Sequence, residues 1–362
     1  VTFERTPGRT FVRIGSVAHH VVVDGTGPVC VLAAGLGMSW FDWDPVVPLL
    51  TPHRTVVRFD RPGHGLSQPS AVPSTAAGEA DRIAAVLDAV VEAGLVTDRA
   101  AAGGGAAAGR DAGRDVGRDA GPEVGRDVGP DVGPEAGLAA DGADADGADA
   151  GRPDVGPDAG LDGKAVRAGG AGPGRAPVTV VGHSIAGFHA EAFARLHPAR
   201  TAALVLVDSS VEESPRASRT APALSRALGA ALCAAGMPAA LGPAGRALTV
   251  RLSSHRRPDP SPPAEVRRVY RTSRALRGTL DENARYGAVA AELLALRERA
   301  PLPPGLPVTV LAAPDGSARW ERRQRALARR LGARYEAAEP SGHLVMLDRP
   351  DAIARAVLDA GR

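Results

Sequence analysis

The stretch Val178-Thr-Val-Val-Gly-His-Ser-Ile-Ala-Gly187 constrains this chain more than any other. Its β-branched apolar run reads as a buried strand, and Phe188 to Leu196 reads as a helix. Between them Ser184 is flanked by Gly182, Ala186 and Gly187. A sharp strand-to-helix turn needs small residues on both sides, because larger side chains would collide across it. Such a turn leaves the serine Oγ pointing out of the sheet. A serine hydroxyl is a poor nucleophile until a base takes its proton, so the downstream histidines and acids decide what Ser184 can do.

The candidate base is His343, in Glu339-Pro-Ser-Gly-His-Leu-Val-Met-Leu-Asp-Arg-Pro350. It falls in a glycine-containing loop between an expected strand (334–338) and an expected last helix (351–358), where a scaffold presents reactive groups. Most of the nine histidines have plainer readings. His53 and His197 lie beside proline at the surface, His19 and His20 on an expected hairpin, and His183 inside the turn itself.

Two more segments belong to this pattern. An apolar strand at Val29 to Ala33 runs into Ala34-Gly-Leu-Gly37, and Val56 to Phe59 runs into Asp60-Arg-Pro-Gly-His-Gly-Leu-Ser67. With the Gly-His-Ser-Ile-Ala-Gly turn and the Ser-Gly-His and Asp-Arg-Pro near the C-terminus, the chain resembles the α/β-hydrolase fold family, specifically its esterase and lipase-like members with a helical cap. The resemblance covers about residues 10–97 and 177–360. It implies a doubly wound, mostly parallel sheet, a Ser184–His343 pair, and an oxyanion hole made by the backbone N–H groups of Ile185 and Leu36. It implies neither a metal nor an organic cofactor. Two departures stand out: Ala34-Gly35 replaces the His-Gly of many relatives, which removes a side-chain anchor from that loop, and Ala186 stands where glycine is usual.

The resemblance leaves two positions open for the acid. Relatives usually carry it after the strand before the histidine, here 307–313, which points to Asp315, although the common pattern aligns its aspartate with Gly316. Some members carry it one strand earlier, which points to Asp208 after the strand 203–207. Asp208 is favoured and Asp315 is the rival. Asp348 reads instead as part of a helix-start signal with Asp351, and Asp60 as the holder of its own Pro-Gly loop.

Apolar residues make up 44% of the 362 and aromatics only 3%, so Ala, Val and Leu must fill the core. A net charge of +2 gives no footing for a nucleic-acid partner. The arginines of 319–334 recur at helical spacing and read as a solvated helix face. Cys30 and Cys233 read as buried free thiols rather than a disulfide. No apolar leader segment and no run of membrane-spanning length are evident, so a cytoplasmic protein is expected.

Residues 99–176 differ from the rest. From Gly109 to Gly137 the tetrapeptide Gly-(Arg/Pro)-(Asp/Glu)-(Ala/Val) repeats without a break. Such sequence buries too little apolar surface to offset its ordering entropy and reads as a disordered insertion. Loop-closure cost grows slowly with length, so a fold can carry it. The expected organisation is therefore a hydrolase core at 1–98, 177–210 (with the Ser184 turn) and 307–362, the insertion at 99–176, and a helical cap at 211–306. The expected activity is hydrolysis of a small or medium carboxylic ester, or a related acyl bond, through an acyl-enzyme. The alternative is a non-catalytic ligand-binding member of the same fold. The expected partner is a small ester-like molecule, with no nucleic acid and no membrane span; the sequence is silent on oligomeric state.

Overall fold

The computed structural model describes residues 3–6, 9–96, 176–256, 258–315 and 317–360. Of the insertion expected at 99–176, all but Ala176 lies outside the described residues. Among the described residues nine strands form one sheet: β1 (Phe3–Thr6), β2 (Arg9–Ile14), β3 (Val17–Asp24), β4 (Val29–Ala33), β5 (Thr55–Phe59), β6 (Val178–His183), β7 (Thr201–Val207), β8 (Val308–Ala312) and β9 (Arg334–Ala337). Their spatial order is β1-β2-β3-β5-β4-β6-β7-β8-β9. β1 to β3 meander antiparallel and join β5 antiparallel; every pair from β5 to β9 is parallel. The sequence reading missed β1 and otherwise placed each strand within a few residues.

The central strands are buried on both faces, and their alternation sorts side chains into two cores. Val31, Val180, Leu204, Leu206 and Val310 face one core. Cys30, Leu32, Val181, Val205, Val207 and Leu311 face the other. The longer helices among the described residues are α1 (Ala76–Glu92), α2 (Ala186–Leu196), α3 (Ala221–Ala234), α4 (Met237–Ser253), α5 (Pro263–Tyr270), α6 (Ser273–Arg299), α7 (Ala318–Leu331) and α8 (Pro350–Asp359). The first core is closed by α1, α2, the C-terminal half of α6 and part of α7. The second is closed by α8 and by helical turns at Val47–Leu50 and Val345–Asp348.

The segment expected to form a cap holds α3 to α6. It is tied to the core by side chains from both sides. Glu292 of α6 accepts from the first-turn N–H groups of Ala76 and Ala77 at 2.7 and 3.1 Å, which supplies the α1 N-terminus with an anion. Arg246 of α4, 4% exposed, reaches Asp42 at 2.5 Å and Asp259 at 2.9 Å and stacks over Phe41 and Tyr270. Gly278 is needed in α6 because a Cβ there would lie 2.5 Å from the Gly63 carbonyl. Cys30 is buried as expected, whereas Cys233 is only partly so.

Candidate active site

Ser184 caps the C-terminal end of β6 at φ 55°, a left-handed value rare for a residue with a Cβ. The turn is packed so tightly that its glycines have no substitute. A Cβ on Gly182 would lie 2.3 Å from the Ala186 carbonyl, and one on Gly187 would lie 2.0 Å from Ser209 Oγ. Ala186, the departure noted above, is accommodated fully buried. Backbone bonds fasten the turn to the end of β7: Ser184 N–H donates to Val207 O at 3.2 Å, and Ser210 N–H donates to Ser184 O at 3.0 Å.

That same strand end carries Asp208, 1% exposed and also left-handed at φ 37°. A buried carboxylate needs donors, and it has three. Ala313 N–H and Trp320 Nε1–H donate to Oδ1 at 2.9 and 2.7 Å, while His343 Nδ1–H donates to Oδ2 at 2.6 Å. Because the carboxylate can only accept, Nδ1 carries the proton and the Nε2 lone pair faces outward. Ser184 Oγ lies 3.1 Å from it, in position to donate. Serine, imidazole and carboxylate are thus connected in a single line.

Asp315 is not part of this line. It sits in an exposed loop, where its carboxylate meets His255 Nε2 at 2.8 Å with both side chains about half open to solvent. Asp348, read from sequence as a helix-start residue, instead gathers the N–H groups of Gly342, His255 and Arg256 and the hydroxyl of Ser254. It thereby stitches the His343 loop to the end of α4. Asp60 holds its own loop through Leu66 N–H and also takes Trp40 N–H, Ser39 Oγ and His20 Nδ1.

Three further residues touch the site but were assigned no part in it from the sequence, although His183 and Arg61 lie within the motifs quoted above. Trp320 was hidden in the arginine-rich helix. His183 donates from Nε2 to the His343 carbonyl at 2.9 Å and so anchors the backbone of the histidine loop. Burial, with His343 beside it, holds its imidazole well below the usual histidine range, so it stays neutral.

The third is Arg61. Its buried guanidinium grips Glu282 of α6 from Nε at 2.9 Å and from a terminal nitrogen at 2.8 Å. It also donates to the carbonyls of Ala34 and, at 3.0 Å, of Gly35. The Gly35 carbonyl and the Leu36 N–H belong to one planar trans peptide and point in opposite directions. Pinning the carbonyl therefore sets the direction of the N–H. A Cβ on Gly35 would lie 2.6 Å from His183 Nδ1 and 3.1 Å from Ser184 Cβ, so this peptide passes directly over the serine. Arg61 thus supplies an anchor to the loop that lacks the side chain many relatives have. On the other side of Ser184, Ile185 is the N-cap residue of α2, and N–H groups at a helix N-terminus have no intrahelical partner.

A cavity of about 380 Å³ is lined by Leu36, beside Gly35, and by Leu344, the residue after His343. Leu36, Met38 and Leu344 bound it from the core and Leu232, Leu241 and Leu276 from the cap, so its walls are mainly aliphatic. No cluster of metal-ligating side chains occurs among the described residues.

No protein-family model matches the chain, and no curated protein sequence is similar to it. Solved structures are similar over nearly their whole length. A hydrolase from Pseudomonas aeruginosa PA01 matches with TM-score 0.56 and 18% identity, over 98% of this chain and 99% of that one. An α/β-hydrolase fold protein from Burkholderia ambifaria matches with TM-score 0.56 and 17% identity, over 96% of each chain. A thermophilic esterase from Thermogutta terrifontis matches with TM-score 0.53 and 17% identity, over 97% of each. At these identities the likeness is one of fold.

Proposed function

We propose that this chain, an α/β-hydrolase by fold, is a serine hydrolase that cleaves a small or medium carboxylic ester, or a related acyl bond, through an acyl-enzyme. The observation that carries this reading is the unbroken line from Ser184 Oγ through His343 to Asp208. Ser184 attacks the carbonyl carbon while His343 Nε2 takes its proton. Asp208 holds the imidazole in the required tautomer and offsets the charge it acquires. The N–H groups of Ile185 and Leu36 receive the oxyanion, whose stabilisation is worth a few kcal/mol per donor. The tetrahedral intermediate collapses as His343 protonates the leaving alcohol. Water then attacks the acyl-enzyme with His343 as base again, and the acid product leaves.

The esterase among the structural neighbours fits this reading, as does an enol-lactonase from Burkholderia xenovorans LB400 (TM-score 0.51, 17% identity, over 97% of this chain and 98% of that one). The aliphatic cavity beside Leu36 and Leu344 suits an apolar acyl or alcohol group. The test is p-nitrophenyl ester turnover across acyl lengths, together with fluorophosphonate labelling, for wild type and Ser184→Ala. Turnover and labelling that both vanish in the variant are expected. An inert wild type that also resists the probe would favour the non-catalytic ligand-binding alternative.

A further inference from the structure

From Ser214 to Arg256, in the loop after α4, the chain has no Asp or Glu, while arginine recurs at Arg216, Arg219, Arg226, Arg246, Arg251 and Arg256. Only Arg246 of these is buried, in its ion pairs with Asp42 and Asp259. Arg216, Arg219 and Arg226 are exposed and form no ion pair among the described residues. The two helices in this segment, α3 and α4, turn unusual faces to solvent. On α3, Leu224 is 67% and Leu228 51% exposed, with Ala227 and Ala231 on the same stripe by helical spacing. On α4, Leu241 is 52%, Leu248 55% and Leu252 75% exposed, with Ala244 and Gly245 between them. A soluble surface seldom gathers so many open leucines on consecutive helices.

No single described helix is long and apolar enough to cross a membrane. The α3–α4 pair reaches that apolarity only together, and the chain bends by 108° between its halves. Short apolar stripes with arginine and no acid are the pattern of helices that lie in a lipid–water interface. Leu241 adds a link to the site, since it is half-exposed and also lines the cavity that Leu36 and Leu344 bound.

We propose that α3 and α4 dock on an anionic phospholipid surface through these leucine stripes and the arginines around them, which places the mouth of the cavity at the membrane interface. Charge selects this occupant over a second copy of the chain, because pairing two such faces would bring the arginines of both together, whereas anionic headgroups neutralise them. The consequence for substrate rests on the hydrolase reading: esters that partition into the bilayer would enter past Leu241. Docking itself needs no working serine.

The test is co-sedimentation of the full chain with vesicles of phosphatidylglycerol and phosphatidylcholine in equal parts, and with phosphatidylcholine alone. Wild type and Ser184→Ala should both bind the mixed vesicles, bind phosphatidylcholine far less, and release as salt is raised. Leu224→Ser combined with Leu248→Ser should weaken binding by about tenfold or more and leave turnover of a soluble p-nitrophenyl ester unchanged, which also reports that the variant is folded. Arg226→Glu should weaken binding to the mixed vesicles alone. Absence of sedimentation, equal binding to both vesicle types, or full binding by the double leucine variant would each overturn the proposal. So would a dimer in gel filtration that the double variant dissolves. A failed serine shows in turnover only and a failed docking surface in sedimentation only, so the two readings fall separately.

Discussion

Glu282→Gln tests how the cap reaches the loop of Leu36, the proposed oxyanion donor. The Glu282 carboxylate is 4% exposed, takes Arg61 at 2.9 and 2.8 Å, and lies 3.2 Å from His64 Nε2. Removing one partner of a buried pair costs about 3–5 kcal/mol, because the other charge is left uncompensated. Glutamine keeps one oxygen in place to accept from Arg61, so the lower end of that range, about 3 kcal/mol, is the expected loss. At about 2–4 °C per kcal/mol for a domain of this size, the unfolding midpoint should fall by about 6–12 °C. The second effect is on rate. Arg61 would lose the partner that holds it against the Ala34 and Gly35 carbonyls, and the Leu36 peptide would lose its fixed direction. Complete removal of an oxyanion donor costs about 10²–10³ in kcat. The Gly35 carbonyl also accepts from Met38 N–H at 3.1 Å, and Tyr270 donates to the next-but-one carbonyl, Gly37, at 3.0 Å. With those bonds intact a partial loss of about tenfold in kcat is expected, at nearly constant KM. The assay is steady-state ester hydrolysis well below the unfolding transition, beside a thermal melt. A lowered midpoint with unchanged kcat would refute the reasoning, since the pair would then be a tether and nothing more.

Other consequences of the geometry are equally open to measurement. Asp208→Asn should lower kcat by about 10³–10⁴ through the wrong imidazole tautomer, while Asp315→Asn, which touches only exposed His255, should leave it within about twofold; the reverse result in the same ester assay would move the acid. Burial alone would raise the Glu282 carboxyl, but Arg61 and His64 hold it far below the usual carboxylate range. Its folded pKa therefore lies below its unfolded one, so its contribution to stability is complete above about pH 4.3 and is lost as the pH falls below that value. Urea melts on either side should show wild type losing that increment and Glu282→Gln not losing it. Gly35→Ala would press a methyl against His183 and Ser184, and should abolish both turnover and fluorophosphonate labelling while the far-ultraviolet circular dichroism is retained.

What could be read from sequence was whatever is encoded locally. The strand runs, the small residues around Ser184 and the loop of His343 each occupy a dozen residues or fewer, and the structure brings the two side chains to 3.1 Å. The acid was ambiguous for a physical reason. Asp208 and Asp315 each follow a parallel strand at the same edge of the sheet, and both adopt left-handed backbone, φ 37° and 42°. Only reach separates them, and reach is a property of the assembled loops. Arg61 and Glu282 stand 221 positions apart, and Trp320 lies 112 from Asp208, so neither pairing leaves a local trace. Gly278 and Gly287 both stand inside α6. Cβ atoms there would strike the Gly63 and Arg216 carbonyls at 2.5 and 2.3 Å, so these glycines record close packing rather than a break.

The chain enters β6 from Ala176, at the opposite end of that strand from Ser184, and Val96 lies against the same small hollow as Ala176 and Val178. At about 3.3 Å per residue, roughly 20 Å of hydrogen-bonded strand separates this doorway from the serine. The chain therefore leaves and re-enters the described sheet about one strand's length from Ser184. That distance makes this junction the natural place to graft a reporter domain or to cut the chain in a circular permutant without disturbing the site.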